Sequence, residues 1–255
     1  MSLKKSGYLI FFISILFFLY EYILRIAPGV MAEGMRQTFH INATAFGIMN
    51  SMFFQIYVCM QIPVGMILDK YSTRTVLSSA SFLCALGTLF FSEVRSFPWA
   101  IAGRLLIGLG ASFGFIGALK VAEVRLPKNS FGKAAGFLTA LGFLGAVFVD
   151  NLLSYALRFY HWEQLFRVFG IAGIGLSLLL LITVKDCRSL RSLQEKTSFS
   201  HVKKGLILII KNPFLWLNGF IAFCYYLPTS VFAELFGVSY LSTVQGLLTV
   251  SVELN

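Results

Sequence analysis

Charge is scarce in this chain of 255 residues: Asp, Glu, Lys and Arg make up 13% of it, about half of what a soluble domain carries. Acidic side chains are the scarcest, with 11 Asp and Glu against 21 Lys and Arg. The three histidines, His40, His161 and His201, stand far apart in short polar connections. Of the four cysteines, Cys59, Cys84 and Cys224 fall inside apolar runs and Cys187 lies just after one. Neither a metal-ligand spacing nor a disulfide framework is present. No nucleophile–base pair or cofactor-binding pattern marks an enzyme. The sequence therefore points away from a metal site, a cofactor and catalysis.

What is plentiful is apolar surface, 57% of residues, in runs long enough to cross a bilayer. Seven membrane spans are expected at 8–34, 45–67, 75–92, 98–121, 132–157, 165–184 and 213–234. The fold class implied is all-α integral membrane. Residues 1–184 form a six-helix bundle, 185–212 a basic cytoplasmic linker, and 213–255 a seventh span and an aborted second half. Lys4 and Lys5 followed by the apolar run from Tyr8 to Tyr20 resemble a signal peptide. Glu21 and Arg25 occupy the place of a cleavage site, so the run reads as a retained first helix. Pro28-Gly29 should bend its outer third.

A net charge of +10 suits nucleic acid in a soluble protein. Here the basic residues sit between apolar segments, which is the pattern of cytoplasmic loops. With the N-terminus inside, cytoplasmic segments hold fifteen of the 21 Lys and Arg. The expected partner is therefore the lipid bilayer and no nucleic acid, with the N-terminus cytoplasmic. Trp99, Trp162 and Trp216 fall at or near span edges, where interfacial anchors belong. Gly110 with Gly114, and Gly142 with Ala146, are small-residue pairs that let helices approach closely; no chemistry is assigned to them.

Charges inside spans are expensive and mark function by default. Glu21, Arg25, Arg104 and Asp150 qualify. Arg25 lies about 17 residues, roughly 25 Å, beyond Tyr8, and Arg104 about six residues, roughly 9 Å, from the outer end of span four. Both arginines thus fall at similar depth in the outer half of a core about 30 Å thick. Glu21, four residues before Arg25, shares its helical face. Two arrangements fit: Glu21 and Arg25 neutralise each other, or the two arginines and Glu21 face one polar cavity. The second accounts for Arg104. Asp150 either snorkels or pairs, with Arg158 or with a cavity arginine. Lys120 reads as a snorkelling lysine near the inner interface.

The connection after span two reads Gly65-Met-Ile-Leu-Asp69-Lys70-Tyr-Ser72-Thr73-Arg74. It resembles the signature loop of the major facilitator superfamily, G-x-x-x-D-[RK]-x-G-[RK]-[RK], with Ser72 and Thr73 departing from it. Arg104-Leu-Leu-Ile-Gly108-Leu-Gly110 is similar to that superfamily's R-x-x-x-G-x-G in span four. The resemblance covers about residues 8 to 240. It implies two six-helix bundles with a solute bound between them, and alternating access. Gly65, Asp69, Lys70 and Arg74 would form a gating latch, with Asp69 meeting basic residues and a helix end of the opposite bundle. The run from Tyr22 through Arg25 to Met31 resembles the organic-anion and organophosphate branches, in which an arginine at this place contacts an anionic substrate. Span seven, with Tyr225 and Tyr226, has no arginine, unlike the organophosphate relatives. The glycine-proline motif of drug antiporters is missing from span five.

The resemblance implies secondary transport of a small organic anion, coupled to protons as in a symporter, across a bacterial cytoplasmic membrane. Arg25, Arg104, Tyr22 and Tyr225 would bind the substrate, and Glu21 or Asp150 would carry the proton. After span seven the chain runs only to Asn255. The expectation is a truncated or split transporter, or a membrane subunit, that depends on a second chain to supply the remaining helices.

Overall fold

The computed structural model describes residues 3–184 and 212–228. Helices appear where the apolar runs are because lipid offers no hydrogen bond to a bare backbone, and a helix satisfies its own. They are α1 (Leu3–Val30), α2 (Ala32–Phe39), α3 (Ala43–Lys70), α4 (Thr73–Glu93), α5 (Phe97–Ala111), α6 (Phe113–Arg125), α7 (Phe131–Ala156), α8 (Trp162–Thr183) and α9 (Pro213–Pro228), with one short 3₁₀ turn at Lys128–Ser130. Among the described residues, six segments are long and apolar enough to span a membrane: Gly7–Val30, Ala43–Lys70, Thr73–Glu93, Phe97–Arg125, Phe131–Ala156 and Trp162–Thr183. Helix α9 adds 16 described residues. The end of the expected seventh span, 229–234, and the expected linker, apart from Asn212, lie outside the described residues.

The chain forms two compact units, Met1–Gln194 and Glu195–Asn255. In the first, α4 packs on α5 and α8, α3 packs on α5, and α1 packs on α6 and α7. Side chains tie α4 to α8 directly: Ser177 Oγ donates to the Ser78 carbonyl at 2.8 Å and Ser81 Oγ to the Gly173 carbonyl at 3.4 Å. Helices α3 and α7 are buried over 17% and 22% of their most apolar windows, against 67% for α1. Their outward faces, with Val58 and Ile62 on α3 and Leu144 and Phe148 on α7, are apolar, as lipid requires. In the second unit, α9 carries Trp216 and Tyr225 on exposed positions.

Helix starts fall a few residues outside the apolar runs because polar side chains cap them. Asn42 Oδ1 accepts from the Ala45 N–H at 2.8 Å, and Ser72 Oγ from the Thr75 N–H at 3.3 Å. At α8, His161 and Gln164 form a reciprocal capping box.

Two expectations need correction. The first span ends at Val30 and not at 34: α1 runs through Pro28 to Val30, the chain turns at Met31, and α2 carries it on to Phe39. The expected fourth span is one crossing, Phe97–Arg125, in which α5 and α6 meet at Ser112, whose N–H still donates to the Gly108 carbonyl at 3.0 Å. Trp162 is no interfacial anchor. It is 3% exposed, its ring centroid lies 5.6 Å from those of Phe39 and Phe91 and 5.9 Å from that of Phe166, and its Nε1–H donates to Thr38 Oγ1 at 3.0 Å. Helix α2 creates that site by bringing Thr38 and Phe39 to α8.

Candidate functional site

Proline has no N–H, so Pro28 leaves the carbonyl of Leu24, four residues back in α1, without its helical donor. Arg104 of α5 fills the place: its Nη1 donates to the Leu24 carbonyl at 3.1 Å. The contact places the Arg104 guanidinium beside Leu24, the residue before Arg25. Arg104 is completely buried, its guanidinium 4.7 Å from the ring centroid of Phe53, and its Nε and Nη2 have no hydrogen-bond partner among the described residues.

Arg25 is half-buried and stands in an aromatic frame. Its guanidinium carbon lies 5.0 Å from the Tyr22 ring, 5.5 Å from Phe54 and 6.0 Å from Tyr57. These distances are within reach of cation–π attraction, worth about 0.5–2 kcal/mol each. Phe53 touches Phe54 edge-on at 5.3 Å and stacks on Tyr57 at 5.9 Å. One aromatic layer of α3 therefore underlies both cations. The sequence reading did not single out Phe53, Phe54 or Tyr57; their i, i+1, i+4 spacing on span two is the signal available for them.

Glu21 is fully buried on α1. Its side chain lies against Gly114 of α6, where an added Cβ would stand 2.7 Å from Glu21 Cγ. Cys84 of α4 is within electrostatic reach of both Glu21 and Arg104. Asn50 of α3, 5% exposed, has an Oδ1 without a hydrogen-bond partner among the described residues. Tyr22 is buried, and the edge of its ring would be 3.3 Å from a Cβ on Gly142 of α7, so the small-residue pair of span five faces α1. Asp150 is half-buried two turns farther along α7. Tyr225 is on α9, in the second unit. The structure thus brings together Tyr22, Arg25 and Arg104 through α3.

The loop between α3 and α4 has a local partner. Asp69 Oδ1 and Glu123 Oε2 both pair with Lys120 Nζ, at 2.8 and 2.9 Å. Lys120 is therefore an ion-pair hub rather than a snorkelling lysine, and Asp69 has its cation within its own bundle. Gly65, Asp69, Lys120, Glu123 and Phe131 line a crevice of about 290 Å³. The Lys70 ammonium lies 5.5 Å from the Tyr71 ring, and Arg74 is half-buried. At the other end of the bundle, Arg167 grips Glu93 with two bonds, and Arg95 pairs with Glu163 at 2.8 Å.

Among the described residues, six membrane-length helical segments enclosing a few ionisable side chains define an α-helical, multi-pass integral membrane protein. The family model for the Major Facilitator Superfamily matches residues 10–252, and the chain belongs to this superfamily. It is 25% identical over 210 residues to the probable galactarate/D-glucarate transporter GudP of Bacillus subtilis, covering 79% of this chain and 46% of the relative. It is 24% identical over 233 residues to the probable sulfoacetate transporter SauU of Cupriavidus necator, covering 87% and 54%. Over 118 residues it is 34% identical to the nitrate/nitrite transporter NrtP of Picosynechococcus, covering 46% and 22%. The crystal structure of a bacterial homologue of the human lysosomal transporter Spinster, inward-facing and unoccupied, superposes with a TM-score of 0.64 at 20% identity, covering 94% of this chain and 56% of that one. The chain spans about half the length of the curated relatives it matches.

Proposed function

We propose that the chain serves secondary active transport of a small organic anion, with proton coupling, by alternating access. The observation that carries this reading is the half-buried Arg25 held among Tyr22, Phe54 and Tyr57, with a second arginine bound to the carbonyl of the preceding residue, Leu24. A guanidinium offers a planar fork of donors that matches a carboxylate or sulfonate. Stacking on three rings orients that fork. The relatives named for galactarate, D-glucarate, sulfoacetate and nitrate give the same chemical class, anionic solutes.

In this reading Arg25 is the direct contact, and Arg104, which has no exposed surface, adds its positive charge from behind the aromatic layer. Tyr22 and Tyr225 supply further contacts. Glu21 or Asp150 takes up the proton that balances the anion's charge. Gly65, Asp69, Lys70 and Arg74 form the gating loop, with Lys120 holding Asp69 between movements. The N-terminus lies in the cytoplasm, and the membrane is a bacterial cytoplasmic membrane, as the excess of basic residues on one side supports.

The test is uptake of labelled D-glucarate or sulfoacetate by the full chain reconstituted in liposomes. Uptake should be accelerated by an inward proton gradient and lost in Arg25→Ala. Well-folded protein that takes up neither anion would overturn autonomous transport. Uptake indifferent to the gradient would overturn proton coupling.

A further inference from the structure

The two glycines of the span-four pair do different work. A methyl group on Gly110 would lie 2.6 Å from both the Ala80 carbonyl oxygen and the Cys84 nitrogen, so this glycine lets the backbones of α4 and α5 meet. A methyl group on Gly114 would meet a side chain instead. Its three nearest atoms all belong to Glu21: Cγ at 2.7 Å, with Cδ and Oε1 at 3.5 Å. Gly114 stands two residues after Ser112, whose Oγ turns back to the Leu109 carbonyl at 2.7 Å. Helix α6 packs against α1.

We propose that Gly114 is the positioning residue for the Glu21 carboxylate: the space left by its missing side chain receives the Glu21 stem and fixes where the carboxylate stands in the core. A real Cβ essentially never stands 2.7 Å from another carbon, so any larger residue at 114 must push the Glu21 stem aside. The groups that would feel this movement are those around Glu21. On α1 they are Tyr20, Tyr22 and Arg25. Cys84 of α4 is within electrostatic reach of Glu21, and also of Arg104 on α5. On α7 the nearest ionisable residue along the helix is Asp150, two turns beyond Gly142; on α8 they are Glu163 and Arg167, in its first two turns. A carboxylate among such groups titrates according to its distance from each. Gly114 therefore governs the pH response of Glu21 without itself carrying a proton. The functional consequence rests on the reading of Glu21 as a proton carrier; the positioning does not.

The experiment measures thermal unfolding of the detergent-solubilised full chain across pH, for Gly114→Ala in three backgrounds: native, Glu21→Gln and Glu21→Ala. Gln keeps the Cγ that clashes, and Ala removes it. Gly114→Ala should lower Tm by about 2–10 °C in the native and Gln backgrounds. In the Glu21→Ala background it should leave Tm unchanged or raise it, because alanine is the better helix former. In the native background it should also move, by about half a pH unit or more, the midpoint of the pH-dependent stability that Glu21→Gln abolishes. An equal loss of Tm in all three backgrounds, or an unmoved midpoint, would overturn the proposal. If Gly114→Ala does not fold, the double variant with Glu21→Ala must fold; its failure, with Glu21→Ala folded alone, is equally contrary. Anion binding that does not change with pH, alongside the expected Tm pattern, would refute the proton-carrier reading and leave the positioning intact.

Discussion

The link from Pro28 through the Leu24 carbonyl to Arg104 makes a quantitative prediction. Replacing Arg104 by leucine removes three things: the bond from Nη1 to the Leu24 carbonyl at 3.1 Å, the stacking on Phe53 at 4.7 Å, and a fully buried charge. The last two partly cancel, since a stacked cation gains about 2 kcal/mol while a desolvated one costs several. Both are the same whether residue 28 is proline or alanine. The first is not. With Pro28 in place, the loss of Arg104 strands a buried acceptor, at about 1–3 kcal/mol. In Pro28→Ala the restored N–H takes over the Leu24 carbonyl, and that penalty disappears. A double-mutant cycle on Tm, with about 2–4 °C per kcal/mol for a domain of this size, should therefore show Arg104→Leu to be milder in the Pro28→Ala background by about 2–12 °C. A difference corresponding to less than about 0.5 kcal/mol is ordinary additivity and would refute the link.

Two further predictions concern packing and the gating loop. Gly110→Ala forces apart the backbones of α4 and α5 and should destabilise by about 1–3 kcal/mol, whereas Gly136→Ala, with nothing within 4 Å of the new methyl, should stabilise by up to about 1 kcal/mol; thermal unfolding of the two variants decides the sign of each. Asp69→Asn should cost under about 1 kcal/mol, because the pair is part-exposed and Glu123 still holds Lys120. Lys120→Met, which leaves two carboxylates facing each other, should cost more, and the gap between the two variants should shrink in about 1 M salt.

The spans were legible because a bilayer leaves a long apolar run no other way to satisfy its backbone. Their edges were less so, since Asn42, Ser72 and His161 extend helices outward by capping rather than by hydropathy. The turn at Met31 carries no breaker residue at the turn itself; Pro28 stands three residues before it. Burial of Trp162 depends on α2, which polar residues such as Glu33 and Arg36 hide from a hydropathy reading. In the site, rise per residue led to the expectation of Arg25 and Arg104 at similar depth. It could not show that Pro28 frees a carbonyl for Arg104, because that needs the packing of α5 on α1. Nor could it give Asp69 its partner: Lys120 is distant in sequence and meets Asp69 only once α6 lies beside α3. The Gly110–Gly114 pair looked like uniform helix packing, and only the neighbours of each missing side chain separate a backbone contact from a place for Glu21.

The central claim, that Arg25 recognises an anion, is tested most directly by equilibrium binding of D-glucarate to the purified full chain and to its Arg25→Ala and Arg25→Lys variants. Two charge-assisted hydrogen bonds from the guanidinium, at about 1.5–3 kcal/mol each, set the expected loss in Arg25→Ala at about 100-fold or more. Lysine, which keeps the charge but not the planar fork, should fall between wild type and alanine. Affinity in Arg25→Ala within about threefold of wild type, below the roughly 1.4 kcal/mol that makes a tenfold difference, would contradict the account.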